Sequence, residues 1–174
     1  MDKWDGRQFI DSLQLTKEKS VLEIGVGTGR LAVRVAPECR EFFGIDISQK
    51  TVKRAKENLK KQTNVTLVCG DFMSYEFGRK FDVIYSSLTF MHIQDKQAAI
   101  NKVRSLLNIS GRFVLSIDKN QSDTIDYGTR KIKIYPDNKE DIVKYITQSG
   151  MNLMKVFETD FAFVFIAEMK QNNS

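Results

Sequence analysis

Three acids and a run of glycines carry most of the chemistry this sequence offers. The stretch "VLEIGVGTGR", Val21 to Arg30, ends a hydrophobic run in Glu23 and continues with Gly25, Gly27 and Gly29 at alternate positions. Glycine loops of this kind let backbone amides approach a nucleotide-like ligand closely. A dinucleotide loop needs Gly-x-Gly-x-x-Gly. Counted from Gly25, its third glycine would stand at Arg30, and here it comes one residue early, at Gly29. A triphosphate loop needs Gly-x-x-x-x-Gly-Lys-[Ser/Thr], and no lysine follows. The pattern that does fit is Glu-x-Gly-x-Gly-x-Gly. Glu23 places negative charge beside the loop, which disfavours a pyrophosphate and suits a ligand carrying a cationic sulfonium and an ammonium.

Two further acids follow in order. Asp46 stands seventeen residues after Gly29, at the end of "FFGID". A carboxylate there can accept from both hydroxyls of a ribose, having two oxygens and no competing proton. Asp71, in "CGDFMSY", can accept from an adenine amino group, with Phe72 or Ile47 against the faces of the ring. Each acid could instead cap the helix after it. Capping explains either acid singly but not the ordered set.

The elements that must hold these residues alternate almost to the end of the chain. "SVLEIG", "EFFGID", "NVTLVCG", "FDVIYSS" and "GRFVLSID" are strand-like. Between them, "GRLAVRVA" starts a helix that Pro37 closes, a lysine-rich helix runs from about Ser48 to Gln62, and "KQAAINKVRSLLN" has helical spacing through Leu107. Such alternation requires crossover helices. It gives an α/β three-layer sandwich: a mostly parallel sheet with helices on both faces. After a helix near "KEDIVKYITQSG", two strand-like runs, "NLMKVFET" and "FAFVFIAEM", are joined by little more than Asp160. Only a hairpin spans so short a link, so one of these two strands runs antiparallel to the rest. The sheet then has seven strands, and one domain is expected over 1–174. Residues 119–136 form an insertion after strand five, with a short strand around Ile132–Tyr135.

Composition sets outer bounds. A hydrophobic share of 41% with 28% charged residues is that of a globular chain. "FAFVFIA" is far too short to span a bilayer, and "MDKWDGRQF" has acids where a secretion signal would be basic and then apolar. A cytoplasmic protein with no membrane partner is expected. Cys39 and Cys69 have no metal or redox spacing and read as buried free thiols. Much of the net charge of +5 sits on Lys50, Lys53, Arg54, Lys56, Lys60 and Lys61, around an apolar stripe of Val52, Ala55 and Leu59. A solvated helix face is the plain interpretation. A nucleic-acid surface is the alternative, not favoured because no aromatic residues interleave to stack bases.

Taken together, these motifs resemble the class I S-adenosylmethionine-dependent methyltransferases, of the seven-stranded Rossmann-like kind. "VLEIGVGTGR", "FFGIDIS", "LVCGDF", "FDVIYSSLTFMHI" and "LLNISGRFVLSID" look like the family's successive motifs, and the terminal hairpin matches its reversed last strand. The resemblance covers about Ser20 to Met169. It implies S-adenosyl-L-methionine as cofactor, with Glu23, Gly25 and Gly27 at its methionine side, Gly29 as a further cofactor-binding position and Asp46 on the ribose. Ile47, Asp71 and Phe72 would hold the adenine, and Ser86 or Ser87 would lie near the amino-acid moiety.

Methyl transfer from a sulfonium is an in-line displacement in which the leaving thioether needs no proton, so a base is required only for a protonated acceptor. His92, the only histidine, is the one weak catalytic candidate, and a packing role is its alternative. Tyr75, Tyr127 and Tyr135 are polar residues that serve equally well as surface or packing tyrosines. No His/Cys/Asp/Glu cluster has metal-ligand spacing, so a metal-free reaction is expected. "SSLT" follows strand four where base-amino methyltransferases carry an Asn-Pro-Pro-Tyr type of sequence. A small-molecule acceptor is expected; an RNA or protein methyltransferase, or a non-catalytic cofactor-binding partner subunit, are the alternatives. Trp4, Phe9, Ile10 and Leu13 form the apolar face of a short N-terminal helix within 1–19. That helix is expected to serve packing ahead of recognition; the 119–136 insertion, with Asp123, Asp126, Arg130 and Lys131, is expected to wall the acceptor site, the helix being its one candidate addition. The insertion's alternative role is to supply a lysine-bearing edge strand, "KIKIY". Oligomeric state is not legible.

Overall fold

A computed structural model describes residues 5–122, 124–126, 128–129 and 131–171. Strands β1 (Ser20–Ile24), β2 (Glu41–Asp46), β3 (Val65–Cys69), β4 (Phe81–Ser87) and β5 (Leu107–Asp118) pair in parallel. β6 (Thr124–Asp126) and β7 (Lys131–Lys133) form a ribbon of their own, and β8 (Asn152–Glu158) and β9 (Ala162–Glu168) complete the main sheet. The order across it is β3-β2-β1-β4-β5-β9-β8. β9 slots between β5 and β8 and is antiparallel to both, so it is the reversed strand the short hairpin link required.

The strands read as near-continuous apolar runs because both faces are covered. Side chains alternate across the sheet: Val21, Val83, Val114 and Val164 enter one core, and Leu22, Ile84, Leu115 and Phe165 the other. The first core is covered by α1 (Gly6–Ser12), α2 (Ala32–Val35) and α3 (Gln49–Asn58), through residues such as Phe9, Val35 and Ala55. α4 (Lys96–Leu106) and α5 (Lys139–Gln148) cover the second through Ile100, Val103, Ile142 and Ile146. In α1, Phe9 and the following Leu13 are fully buried. Trp4 lies outside the described residues, as do Asp123, Tyr127 and Arg130.

Four details depart from expectation. Pro37 does not close a long helix: α2 has only four residues, and Ala36–Glu38 continues as a 3-10 turn. Proline is tolerated there because the first turn of a helix has no use for its missing N–H. Leu107 leaves the helix to open β5, which pairs with Phe81 before a register shift. The short strand near Ile132 pairs with β6 and not with the edge of the main sheet. Finally, both cysteines are free, but only Cys39 is buried. Burial pushes its thiol up to about 11, whereas Cys69, the last residue of β3, is exposed.

Candidate active site

Chain order reverses between β1 and β4, so a crevice opens at the carboxyl ends of the central strands. There the N–H groups of Gly25 and Val26 both donate to the Ile45 carbonyl, at 2.9 and 3.0 Å, swinging the chain across the end of β2. Gly25 has φ +77°, and a Cβ on it would stand 2.2 Å from Thr89 Oγ1. Only glycine permits that approach. Gly27 differs: at φ +56° its Cβ would meet nothing within 4 Å, so this part of the turn faces open space. Gly29 packs toward Leu59 beneath the turn.

Asp46 joins this turn to the next crossover. Its Oδ2 accepts from the Gly27 N–H at 2.9 Å and its Oδ1 from the Ser48 N–H at 3.0 Å. The cap of α3 is Ser48, whose hydroxyl accepts from the Thr51 N–H. Each Asp46 oxygen keeps acceptor capacity, since a carboxylate offers about four lone-pair sites. Asp71 shapes its own turn, accepting from the Met73 N–H at 3.1 Å and the Ser74 hydroxyl at 3.4 Å.

These groups meet on one cleft of about 570 Å³, within the usual range for a small-ligand site. Of the residues singled out in the sequence, Gly25, Gly27, Asp46, Ile47, Asp71, Phe72 and His92 line it. Ile47 is 76% exposed there, an apolar surface left for something to cover. Leu88, Thr89 and Ile93, from the loop after β4, and Ile132 and Lys133, from the ribbon, complete the opposite wall.

Glu23, Ser86 and Ser87 do not line the cleft. Glu23 is 3% exposed and accepts from the Tyr85 hydroxyl at 2.8 Å. Burial raises its carboxyl to about 8, against the lowering effects of Tyr85 and Arg30. It therefore supplies a held proton near neutral pH, not the standing negative charge expected from the sequence. Burial likewise raises the Tyr85 phenol. Ser86 is fully buried and donates to the Ile24 carbonyl at 3.0 Å. Ser87 donates to Asp5, which is 1% exposed and paired with Arg30, and Ser116 also reaches Asp5, at 3.4 Å. Asp5 occupies the N-cap position of α1 but makes no capping bond; its carboxylate turns inward to the ends of β4 and β5.

The opposite wall is built from long-range ties. Lys96, 9% exposed, donates to the carbonyls of Phe90 and Ile93 at 2.7 and 2.9 Å, gripping the 3-10 turn Phe90–His92 from below. Its ammonium also pairs with the buried Asp137 carboxylate at 2.8 Å. Burial raises the Asp137 carboxyl, and Lys96 opposes that shift. The Tyr135 N–H donates to the Met91 carbonyl at 2.7 Å, and the Asp137 N–H to Gln121 at 2.7 Å. Ribbon and post-β4 loop are thus stitched together. Leu88 has φ +54°, a region leucine rarely adopts, and it faces the cleft. Among the described residues, no group of three or more His, Cys, Asp or Glu could hold a metal ion, and no helix is long and apolar enough to cross a membrane.

Residues 15–160 match the family model for a methyltransferase domain. The chain belongs to this methyltransferase family. An uncharacterized methyltransferase of Bacillus thuringiensis is 40% identical over 113 residues, 62% of this chain and 52% of its own length. The chain spans about half the length of the curated relatives it matches. In fold, it is similar to a Listeria monocytogenes protein assigned as an S-adenosylmethionine-dependent methyltransferase, with TM-score 0.83 at 16% identity, covering 94% and 96% of the two chains. It is also similar to the N-methyltransferase NodS of Bradyrhizobium japonicum, solved with S-adenosyl-L-homocysteine. There the TM-score is 0.74 at 15% identity, over 94% and 85% of the chains.

Within this methyltransferase domain, the sequence left Asp5, Arg30, Leu88, Thr89 and Ile93 unassigned. Asp5 precedes a glycine and a helical stretch, and so reads as an ordinary N-cap. The left-handed backbone of Leu88 has no signature in residue type. Thr89 had one faint signal, in that a glycine at position 25 leaves room for a neighbour.

Proposed function

We propose that this methyltransferase domain binds S-adenosyl-L-methionine in the cleft at the ends of β1–β4 and methylates a small molecule entering past the ribbon. One observation carries the proposal: the open Gly27 turn and the carboxylates of Asp46 and Asp71, from three successive strands, face one cleft. Asp46 would accept from the ribose hydroxyls, its position fixed by Gly27 and Ser48. Asp71 would accept from the adenine amino group, with Ile47 and Phe72 covering the ring. The methionine end would run along Gly25 and Gly27 toward the Asp5–Arg30–Ser87 cluster.

When bound, this cofactor supplies an electrophilic methyl on a positively charged sulfur. The chain's own residues then align the acceptor and exclude water, and orientation of this kind is worth about 7–11 kcal/mol. His92 lies exposed at the mouth, where it would take a proton from an acceptor that carries one. Calorimetry tests the cofactor: S-adenosylhomocysteine is expected to bind with micromolar or better affinity and NAD to bind far more weakly. NAD binding the tighter of the two would overturn the assignment. Transfer of labelled methyl groups into a metabolite pool but not into RNA or protein is the expected acceptor result.

A further inference from the structure

The wall facing the carboxylates is apolar and carries one cation. Asp46 and Asp71 lie at the ends of β2 and β3, while Leu88, Ile93 and Ile132 line the far side with Lys133 beside them. We propose that Lys133 determines specificity, by fastening an acceptor made of an apolar body with one anionic group. This rests on the cleft being the cofactor and acceptor site, as above.

Lys133 differs from three cations of this end of the molecule that are held in ion pairs. Lys96 pairs with Asp137, Arg30 with Asp5, and Lys119 with Glu158. Among the described residues no carboxylate pairs with Lys133, whose ammonium sits 5.2 Å from the centroid of the Tyr135 ring. A cation over an aromatic face is held in direction yet keeps its affinity for an anion. Nor is the ribbon loosely hung. The chain just after Lys133 is pinned by the Tyr135–Met91 hydrogen bond and the buried Lys96–Asp137 pair. Those ties set Lys133 against the same loop that presents Leu88, His92 and Ile93.

Charge selects in the same direction. An acceptor approaching a sulfonium past a lysine meets two positive charges, so an anion is drawn in and a cation repelled. The apolar side chains next to Lys133 would receive the rest of such a molecule, leaving its anionic group at the rim where solvent and ammonium share it.

The test uses protein saturated with S-adenosylhomocysteine and two probes of like shape, 2-naphthoate and neutral 2-naphthamide, titrated by calorimetry. Wild type is expected to bind the carboxylate at least tenfold more tightly than the amide. Lys133→Met should erase that preference and Lys133→Glu reverse it, with S-adenosylhomocysteine affinity within about twofold throughout. Lys60→Met, which removes the same charge beyond α3, should preserve it. No preference in wild type, binding of neither probe, or a preference that survives Lys133→Glu would each overturn the proposal. If wild type fails to take up S-adenosylhomocysteine, the cofactor assignment falls instead.

Discussion

The two walls of the cleft are made in different ways. On the carboxylate side, each acid bonds to a backbone N–H two residues on, Asp46 to Ser48 and Asp71 to Met73. The longer ties, Gly27 to Asp46 and Gly25 and Val26 to the Ile45 carbonyl, cross between adjacent strand ends. On the opposite side, the loop after β4 and the ribbon are held by partners far apart in the chain, Lys96 with Asp137 and Met91 with Tyr135. A wall of local turns on strand ends can hardly change without losing the sheet. A wall hung from a few distant ties can change its lining while the scaffold stays, which is where selectivity is commonly placed.

Breaking the first wall should have the largest effect on cofactor binding. Asp46→Ala removes two charge-assisted acceptors worth about 1.5–3 kcal/mol each, and S-adenosylhomocysteine affinity is expected to fall by about a hundredfold or more in calorimetry. The same variant should keep its circular dichroism and cooperative melting; unchanged affinity would exclude Asp46 from the site.

Cutting the second wall should act on stability and on acceptor binding, but not on cofactor affinity. Lys96→Met leaves a buried carboxylate uncompensated, a change that typically costs about 3–5 kcal/mol. Urea unfolding should register that loss, and adding Asp137→Leu should recover more than half of it. S-adenosylhomocysteine affinity should move only a few fold under conditions where the variant is folded. An equal collapse of cofactor binding would mean that the two walls are one unit.

The most gradual expected effect is spread over several pH units and comes from the buried acid of β1. Glu23 carries a carboxyl raised by burial to about 8, from an ordinary value near 4.5. The folded state therefore holds this proton more tightly than the unfolded chain. The stabilisation is complete below about pH 4.5 and is lost as pH rises toward 8, with a slope no steeper than about 1.4 kcal/mol per pH unit for one proton. The difference in unfolding free energy between wild type and Glu23→Gln should drift with that sign from pH 5 to 8.5. A flat difference would show that Glu23 ionises normally.

Legibility in the sequence follows the same division. The strand pattern, the reversed final strand and the strand-end acids all rest on short-range periodicity and spacing, and the structure brings Asp46, Asp71 and the glycines Gly25 and Gly27 to one cleft. Burial is a different matter. Glu23 reads as a charge from its type, yet burial raises its carboxyl, against the opposing hydrogen bond from Tyr85, sixty-two residues away. Ser86 and Ser87 stand at the right strand end, but the alternation of the strand and the intrusion of Asp5 occupy their hydroxyls. Lys133 and Ile132 fall in a segment whose course is fixed by the buried Asp137 pair. No local pattern announces such a pair.

Asp5 also bears on how the chain is made. Its partners, Ser87 and Ser116, lie 82 and 111 residues further on. At a synthesis rate of about 5–20 residues per second, Asp5 is added to the chain on the order of 5–20 s before Ser116. During that interval α1 has no β5 to rest on, and Phe9 and Leu13 have no complete core to enter. The helix thus emerges well before the strands it docks against are complete. Chaperones that bind exposed apolar segments would meet it throughout that wait.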